Sequence, residues 1–150
     1  MGGQSAVYLG QSVDSAGDVN NDNYNDIIVG AYHYSNGESR EGRAYVYLGS
    51  STGVSTTPNW TIESNQANAE LGKSVAGVGD VNSDGFDDVL VGAPGYDNGQ
   101  TNEGKAFLYY GSSSGPVTAP SWSYESDRPV RFSAMWSRPA ATSMAIIIKI

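Results

Sequence analysis

Short apolar runs alternate with segments rich in Gly, Asn, Ser and Pro along most of this chain. In its second half the runs predict strands at about residues 74–78, 88–93, 106–110 and 122–126. β-Branched, aromatic and small residues dominate these runs, and turn-forming residues fill the gaps between them. No long segment shows the 3.6-residue apolar period of an amphipathic helix. The pattern predicts an all-β fold built from units of four strands.

The whole pattern occurs twice, and equivalent residues lie 62 positions apart without insertion or deletion. The matched segments include Leu9-Gly10 with Leu71-Gly72, Ser12-Val13 with Ser74-Val75, Val29-Gly30-Ala31 with Val91-Gly92-Ala93, Glu41-Gly42 with Glu103-Gly104, and Trp60 with Trp122. A four-stranded repeat with glycine-rich turns is typical of a β-propeller blade. The sequence therefore predicts two four-stranded antiparallel blades, one in residues 1–64 and one in residues 65–126.

Two blades are fewer than a propeller needs, because such rings close with roughly four to eight blades. A two-blade unit would leave an apolar sheet face open at each end. We expect the fold to be completed by homo-oligomerisation through these faces or by an added C-terminal strand. The alternative is that the chain is a fragment of a longer protein.

The charge balance narrows the possible partners. Sixteen acidic residues against eight basic ones give a net charge of −8, which argues against nucleic acid, since phosphate contacts need clustered Lys and Arg. The absence of Cys rules out disulfides and thiolate metal sites. The most apolar run, residues 144–150, is too short to span a bilayer, and the first residues do not resemble a signal peptide. We predict no nucleic-acid partner and no membrane insertion.

One loop in each repeat carries oxygen-bearing side chains at alternate positions. A hard divalent cation is bound by side chains at positions 1, 3, 5 and 9 of such a loop and by a backbone carbonyl at position 7. The first set is Asp18, Asn20, Asp22, Tyr24 through its carbonyl, and Asp26; the second is Asp80, Asn82, Asp84, Phe86 through its carbonyl, and Asp88. Position 6 is Asn23 or Gly85, and both tolerate the left-handed conformation. The loops predict two calcium sites.

Three other interpretations of the loops agree less well with the residues. Solvated Asx-rich turns are common, but two in one register are hard to ascribe to chance. Magnesium usually keeps several waters and takes fewer protein ligands than these loops offer. An EF-hand would need Glu at position 12, where this chain has Val29 and Val91. Calcium bound in a strand-flanked loop is therefore preferred.

The repeated residues resemble a known family. Leu71-Gly72 is followed by Ser74-Val75, by the loop Gly79-Asp80-Val81-Asn82, and then by the run from Asp88 to Pro94. This order is similar to the FG-GAP repeat, and the resemblance covers roughly residues 4–126. The first copy departs from it, with Tyr32 in place of the motif's Pro and Asn23 in place of Gly.

The resemblance carries implications for fold and function. FG-GAP repeats build the seven-bladed propeller of integrin α subunits and bind calcium in β-hairpin loops. It implies an integrin-α-like adhesion or recognition protein, extracellular or at the cell surface, with a protein or glycan ligand. The alternatives are a structural gene fragment with no ligand of its own and a non-catalytic module of a secreted hydrolase.

The segment at residues 127–150 does not continue the repeat. An alternative reading frame begins at the third base of each codon from Phe132 onward. In that frame the codons can encode a third FG-GAP loop in the same 62-residue register. We therefore hypothesise a frameshift within a longer repeat gene. The actual residues at the ligand positions are Thr142, Met144, Ile146, Ile148 and Ile150, which cannot bind calcium. The β-prone run from Ala145 to Ile150 is expected to add an edge strand or pair with another chain.

No catalytic motif stands out. There is no Gly-x-Ser-x-Gly elbow, phosphate loop or His pair, and the loop residue His33 is expected to face solvent. Trp60 and Trp122 recur with the repeat, which favours packing in or between blades over sugar stacking. We predict that the chain is not an enzyme.

Overall fold

The computed structural model describes residues 7–126, so the predicted frameshifted segment at residues 127–150 lies outside the described residues. Two four-stranded antiparallel sheets follow each other along the chain, each with its strands in sequence order. The first sheet contains β1 (Ser12–Gly17), β2 (Asp26–Ala31), β3 (Arg43–Tyr47) and β4 (Trp60–Glu63); the second contains β5 (Ser74–Gly79), β6 (Asp88–Ala93), β7 (Lys105–Tyr109) and β8 (Trp122–Glu125). No helix occurs among these residues. The two predicted four-stranded antiparallel blades are confirmed.

The two sheets match strand by strand, down to their irregularities. The first strand of each sheet shifts register at the same place, between Ser15 and Gly17 in β1 and between Gly77 and Gly79 in β5. The glycines at these bulges have φ values of 74° and 73°, in the left-handed region where a side chain is strained. The bulge ends the pairing next to the aspartate-rich loop, so the backbone of each loop starts from the same geometry.

The main hydrophobic core lies between the two sheets and not within either one. It joins Ala16, Val19, Ile28, Ala44, Val46 and Trp60 of the first blade to Leu71, Val75, Val89, Val91, Ala93, Phe107 and Tyr109 of the second. Burying a large apolar side chain is worth about 1.5–3 kcal/mol, so this shared core couples the two blades energetically. Each blade is thus stabilised by its neighbour.

Each blade has two different faces. We call the side that carries Leu9 and Val13 in the first blade, and Leu71 and Val75 in the second, the front face. The front face of the second blade packs on the first blade, where Leu71 and Val75 are buried. The front face of the first blade is open, and Leu9 and Val13 are exposed.

We call the opposite side the back face; it carries Val19 and Trp60 in the first blade and Val81 and Trp122 in the second. The ring of Trp60 meets Tyr109 edge-on with centroids 5.0 Å apart, and its Nε1 donates a hydrogen bond to the Val117 carbonyl at 3.0 Å. The predicted packing role holds for Trp60. Trp122 is instead 41% exposed and stacks on Tyr124, with ring centroids 6.1 Å apart.

Candidate calcium loops

The predicted ligand loops connect β1 to β2 and β5 to β6, at the same end of both blades. In each loop the first aspartate collects backbone amides across the turn. The carboxylate of Asp18 accepts hydrogen bonds from the amides of Asp22 at 3.0 Å and Asn23 at 2.7 Å. Asp80 does the same with Asp84 at 3.1 Å and Gly85 at 2.8 Å. The two loops therefore share one backbone conformation.

The residue at position 6 has the predicted left-handed backbone in both loops. Its φ is 71° at Asn23 and 94° at Gly85. Asn adopts this region more readily than most other residues with a side chain, and Gly adopts it without steric cost. The departure of Asn23 from the FG-GAP pattern consequently leaves the loop backbone unchanged.

The aspartate at position 9 has a second role that sequence reasoning missed. Asp26 is fully buried, and its two oxygens accept hydrogen bonds from the amides of Val19 and Gly49, both at 2.8 Å. Asp88 is also fully buried, and its oxygens accept from the amides of Val81 and Gly111, both at 2.9 Å. These carboxylates fix each loop to the start of the connection that follows the third strand of its own blade, β3–β4 for Asp26 and β7–β8 for Asp88. The recurrence of Gly49 as Gly111 is the signal that could have revealed this role.

Burial raises the pKa of Asp26 above its ordinary value, while the amides of Gly49 and Val19 lower it and the charges of Asp22 and Asp18 raise it. The pKa of Asp88 is raised in the same way, first by burial and also by the charges of Asp84 and Asp80. Each loop thus concentrates negative charge around a carboxylate that has little access to water. A bound cation would favour the ionised form of every one of these groups.

The donor set fits a hard cation in one further respect. In the first loop the side-chain amide of Asn20 donates to Asp22 Oδ2 at 2.9 Å, whereas its oxygen Oδ1 is buried without a hydrogen-bond partner. A buried carbonyl oxygen without a partner costs free energy that a cation would recover. In the second loop the equivalent oxygen of Asn82 accepts only a long hydrogen bond of 3.3 Å from the amide of Asp84.

The aspartate carboxylates of each loop are not gathered around a single point. Among residues 7–126, no three His, Cys, Asp or Glu side chains form a group that could hold a metal ion by themselves. Backbone amides hold Asp18, Asp26 and their equivalents in place. The arrangement leaves amide and carbonyl oxygens, such as those of Asn20 and Tyr24, as the further ligands that an oxygen-rich calcium site needs.

The two loops differ in what lies beside them. The backbone amide of Asp18 donates to the side chain of Asp87, in the second blade, at 2.9 Å, and the amide of Asp87 donates to the Asp18 carbonyl at 3.0 Å. The first loop is therefore braced by the neighbouring blade. Asp87 was not among the predicted site residues; its equivalent in the first blade is the exposed Asn25.

At the opposite end of the blades, His33 does not face solvent as expected. It lies against the rings of Tyr32 and Tyr8, with centroid distances of 4.2 and 4.9 Å, and its Nε2 is 3.8 Å from Glu70 Oε1. Lys73 Nζ donates to the other oxygen of Glu70 at 2.6 Å. These contacts give His33 a packing role between the β2–β3 and β4–β5 connections.

Paired four-stranded blades with an aspartate-rich loop at the same place in each define a β-propeller repeat protein. The FG-GAP repeat family matches the chain at residues 9–47 and 72–109, which together make up about half of it. The chain belongs to the FG-GAP repeat family, as the motifs predicted.

Integrin α chains are among its relatives. The chain is 35% identical over 125 residues to integrin alpha-5 of Xenopus laevis and 35% identical over 121 residues to integrin alpha-3 of Cricetulus griseus. It is 43% identical over 108 residues to integrin alpha-7 of Homo sapiens. These alignments cover 80%, 79% and 69% of this chain. The chain spans only 12%, 11% and 8% of the length of these curated relatives.

Within residues 7–126, no helix is long and apolar enough to cross a membrane.

Proposed function

We propose that this chain is a calcium-binding propeller module of an integrin-α-like adhesion protein, acting outside the cell or at its surface. The observation that carries the calcium assignment is the buried, unpartnered Oδ1 of Asn20 inside a loop of three aspartates. The same sequence spacing in the second repeat supports a second site of the same kind.

The residues that would hold the ion are the side chains of Asp18, Asn20, Asp22 and Asp26 with the carbonyl of Tyr24. In the second loop they are the side chains of Asp80, Asn82, Asp84 and Asp88 with the carbonyl of Phe86. Calcium would supply positive charge that offsets the mutual repulsion of the carboxylates. The protein itself fixes the conformation of each loop, because backbone amides donate hydrogen bonds to the carboxylates of Asp18 and Asp26 and of their equivalents.

Calorimetry and thermal melts test the calcium assignment. Calcium is expected to bind with a stoichiometry near two and to raise the melting temperature relative to chelator, because it binds only the folded loops. Asp22→Asn and Asp84→Asn should each remove about one equivalent of bound calcium, because each neutralises one carboxylate of a loop. Both residues are exposed, so the fold should be retained. Glu38→Gln, an exposed carboxylate at the other end of the first blade, is the matched control. If saturating calcium produces no heat of binding and no change in melting temperature, the loops are only turns.

The recognition function is proposed from the relatives named integrin alpha and from the exposed loops at the ends of the blades. The partner class is an extracellular protein or a glycan. Binding to immobilised matrix proteins and glycans, compared in calcium and in chelator, tests it. If the chain binds calcium but none of these ligands, the alternative of a structural fragment is favoured. If it binds a ligand only when it is joined to a catalytic domain, the alternative of a hydrolase module is favoured. No residue of this chain is proposed to be catalytic.

We also propose the division into blades at residues 1–64 and 65–126, followed by a frameshifted segment at residues 127–150. The support is the codon argument: Met135-Trp136 and Met144-Ala145 force Val and Gly in the alternative frame, both compatible with a third repeat. The nucleotide sequence decides it. An alternative frame that does not encode Asp at the codon overlapping Thr142 would end the hypothesis.

A further inference from the structure

The two candidate calcium loops contact each other across the interface between the blades. Asp87 is position 8 of the second loop, between the proposed ligands Phe86 and Asp88. Its side chain accepts a hydrogen bond from the amide of Asp18, position 1 of the first loop, at 2.9 Å. The amide of Asp87 donates in return to the carbonyl of Asp18 at 3.0 Å. One residue of the second loop is therefore bound, by its side chain and its backbone, to a proposed ligand of the first.

A second set of contacts joins the buried aspartates of the two loops. The amide of Val19 donates to Asp26 at 2.8 Å, and the carbonyl of Val19 accepts from the amide of Ser112, in the second blade, at 3.1 Å. The residue before Ser112 is Gly111, whose amide donates to Asp88 at 2.9 Å. The backbone of three residues thus connects Asp26 of the first loop to Asp88 of the second.

The loops are also packed too closely to move separately. A Cβ added at Gly111 would overlap the carbonyl of Val19 in the first loop and the carbonyl of Asp87 in the second. A Cβ added at Gly17, just before the first loop, would overlap the side chain of Asp87. Interiors packed at this density transmit strain, so a change in the conformation of one loop acts on the other.

We propose that the two calcium sites are coupled, so that calcium bound in either loop raises the affinity of the other, and that Asp87 is the positioning residue for this coupling. The coupling rests on the proposed calcium function, since it concerns the same two loops. Calcium in the second loop would fix the Phe86 carbonyl and the Asp88 carboxylate on either side of Asp87. Asp18 would then be held in place before the first loop binds its ion, so that binding there orders fewer groups. Thermodynamic linkage makes the effect equal in the opposite direction.

The charges of the loops are compatible with coupling of this sign. Each loop has three aspartates at ligand positions, so three negative charges against the two positive charges of calcium leave an occupied loop at −1. Asp87 adds a further negative charge where the loops meet. An occupied loop as a whole therefore does not repel a second cation, and the ordering through Asp87 decides the sign. Coupling between two sites typically changes affinity by about 5–150-fold.

Calorimetric titration of the full chain with calcium measures the coupling. Asp84→Asn leaves only the first loop able to bind, and Asp22→Asn leaves only the second. The product of the two association constants of the unsubstituted chain should exceed the product of the constants of these two variants by about 5–150-fold. A ratio of one or below overturns the proposal. If two ions bind with such a ratio, the proposed calcium function stands without coupling; if no calcium binds, both fail.

Variants of Asp87 test the path of the coupling, and circular dichroism checks that each is folded. In Asp87→Ala the same titrations should give a ratio closer to one, because the Asp18 amide loses its acceptor. Asp87→Asn should keep the ratio of the unsubstituted chain, since its side-chain oxygen still accepts that amide although the negative charge is lost. Asn25→Ala, the same truncation at the equivalent exposed position of the first loop, is the matched control and should also keep it. Equal ratios in Asp87→Ala and in this control would overturn the assignment to Asp87.

Hydrogen exchange provides a readout that does not depend on affinities. In the Asp22→Asn chain, calcium can occupy only the second loop. Its addition should nevertheless slow exchange of the Asp18 amide in the empty first loop, because Asp87 is then fixed as the acceptor. The additional substitution Asp87→Ala should abolish the slowing, and a chain with both Asp22→Asn and Asp84→Asn should show none. Equal exchange of the Asp18 amide with and without calcium in the Asp22→Asn chain would refute the coupling between the loops.

Discussion

The side chain of Asp87 in the second blade accepts a hydrogen bond from the backbone amide of Asp18, the first residue of the candidate calcium loop in the first blade. The two residues are 69 positions apart, and the bond crosses the interface between the blades. The amide of Asp87 also donates to the Asp18 carbonyl, so the packing of one blade on the other and the conformation of a candidate metal loop are linked through this pair of residues.

Replacing Asp87 by Ala removes that acceptor. The amide of Asp18 is then left without its partner at the interface, and the free energy of unfolding should fall by about 1–3 kcal/mol. Urea denaturation measures the change. Asn25→Ala, the same truncation at the equivalent exposed residue, should leave the stability of the monomer within ~0.5 kcal/mol of the unsubstituted chain. Equal losses in both variants would contradict a role specific to the interface.

A second prediction uses the repeat to separate contacts between blades from contacts within one. A Cβ added at Gly30 would overlap the carbonyl of Gly72 in the other blade as well as Ser12 Oγ. A Cβ added at Gly92 would overlap only Ser74 Oγ, a side chain that can rotate within its own blade. Gly30→Ala should therefore destabilise by about 1–3 kcal/mol more than Gly92→Ala. A comparison of thermal melts at a concentration where the chain is a monomer checks it.

The repeat also explains how much could be predicted from the sequence. The strands, their order and the loop positions follow from alternation and from the 62-residue register, since these are local properties. The exposure of Trp122 could not follow from it, because two identical positions differ only in whether a neighbouring blade covers them. The bracing role of Asp87 depends on the same contact between blades. The equivalent residue in the first repeat is Asn25, so the repeat shows no matching aspartate at this position.

The roles of the candidate ligands could also be predicted only in part. Spacing alone identified Asp18 and Asp26 as members of the loop. It could not show that Asp26 also accepts a backbone amide from outside the loop, because that amide belongs to Gly49, 23 positions away. The candidate calcium loops thus have a structural framework whose stability can be tested separately from metal binding.

Asp26→Asn is the substitution that tests this framework. Both carboxylate oxygens of Asp26 accept backbone amides, and an Asn side chain replaces one of them with a donor. One buried amide, from Val19 or Gly49, would lose its acceptor, so stability in chelator should fall by about 1–3 kcal/mol. Asp22→Asn is the control, because Asp22 is exposed and keeps an oxygen for the Tyr24 amide. A loss seen only in calcium would mean that Asp26 acts solely as a ligand.

A final prediction concerns alkaline pH and the phenol of Tyr109, which lies in the core between the blades. Burial raises the pKa of Tyr109 above its ordinary value, so the folded chain holds this proton more tightly than the unfolded chain. The resulting stability is fully present below the unfolded pKa of about 10 and is lost as the pH rises from there through the folded pKa. The free energy of unfolding should thus decline above pH ~10, and less steeply in Tyr109→Phe. Tyr124→Phe, at a tyrosine that is 41% exposed, should keep the decline of the unsubstituted chain. Denaturant titrations at a series of pH values measure these slopes, and identical slopes for Tyr109→Phe and the unsubstituted chain would refute the prediction.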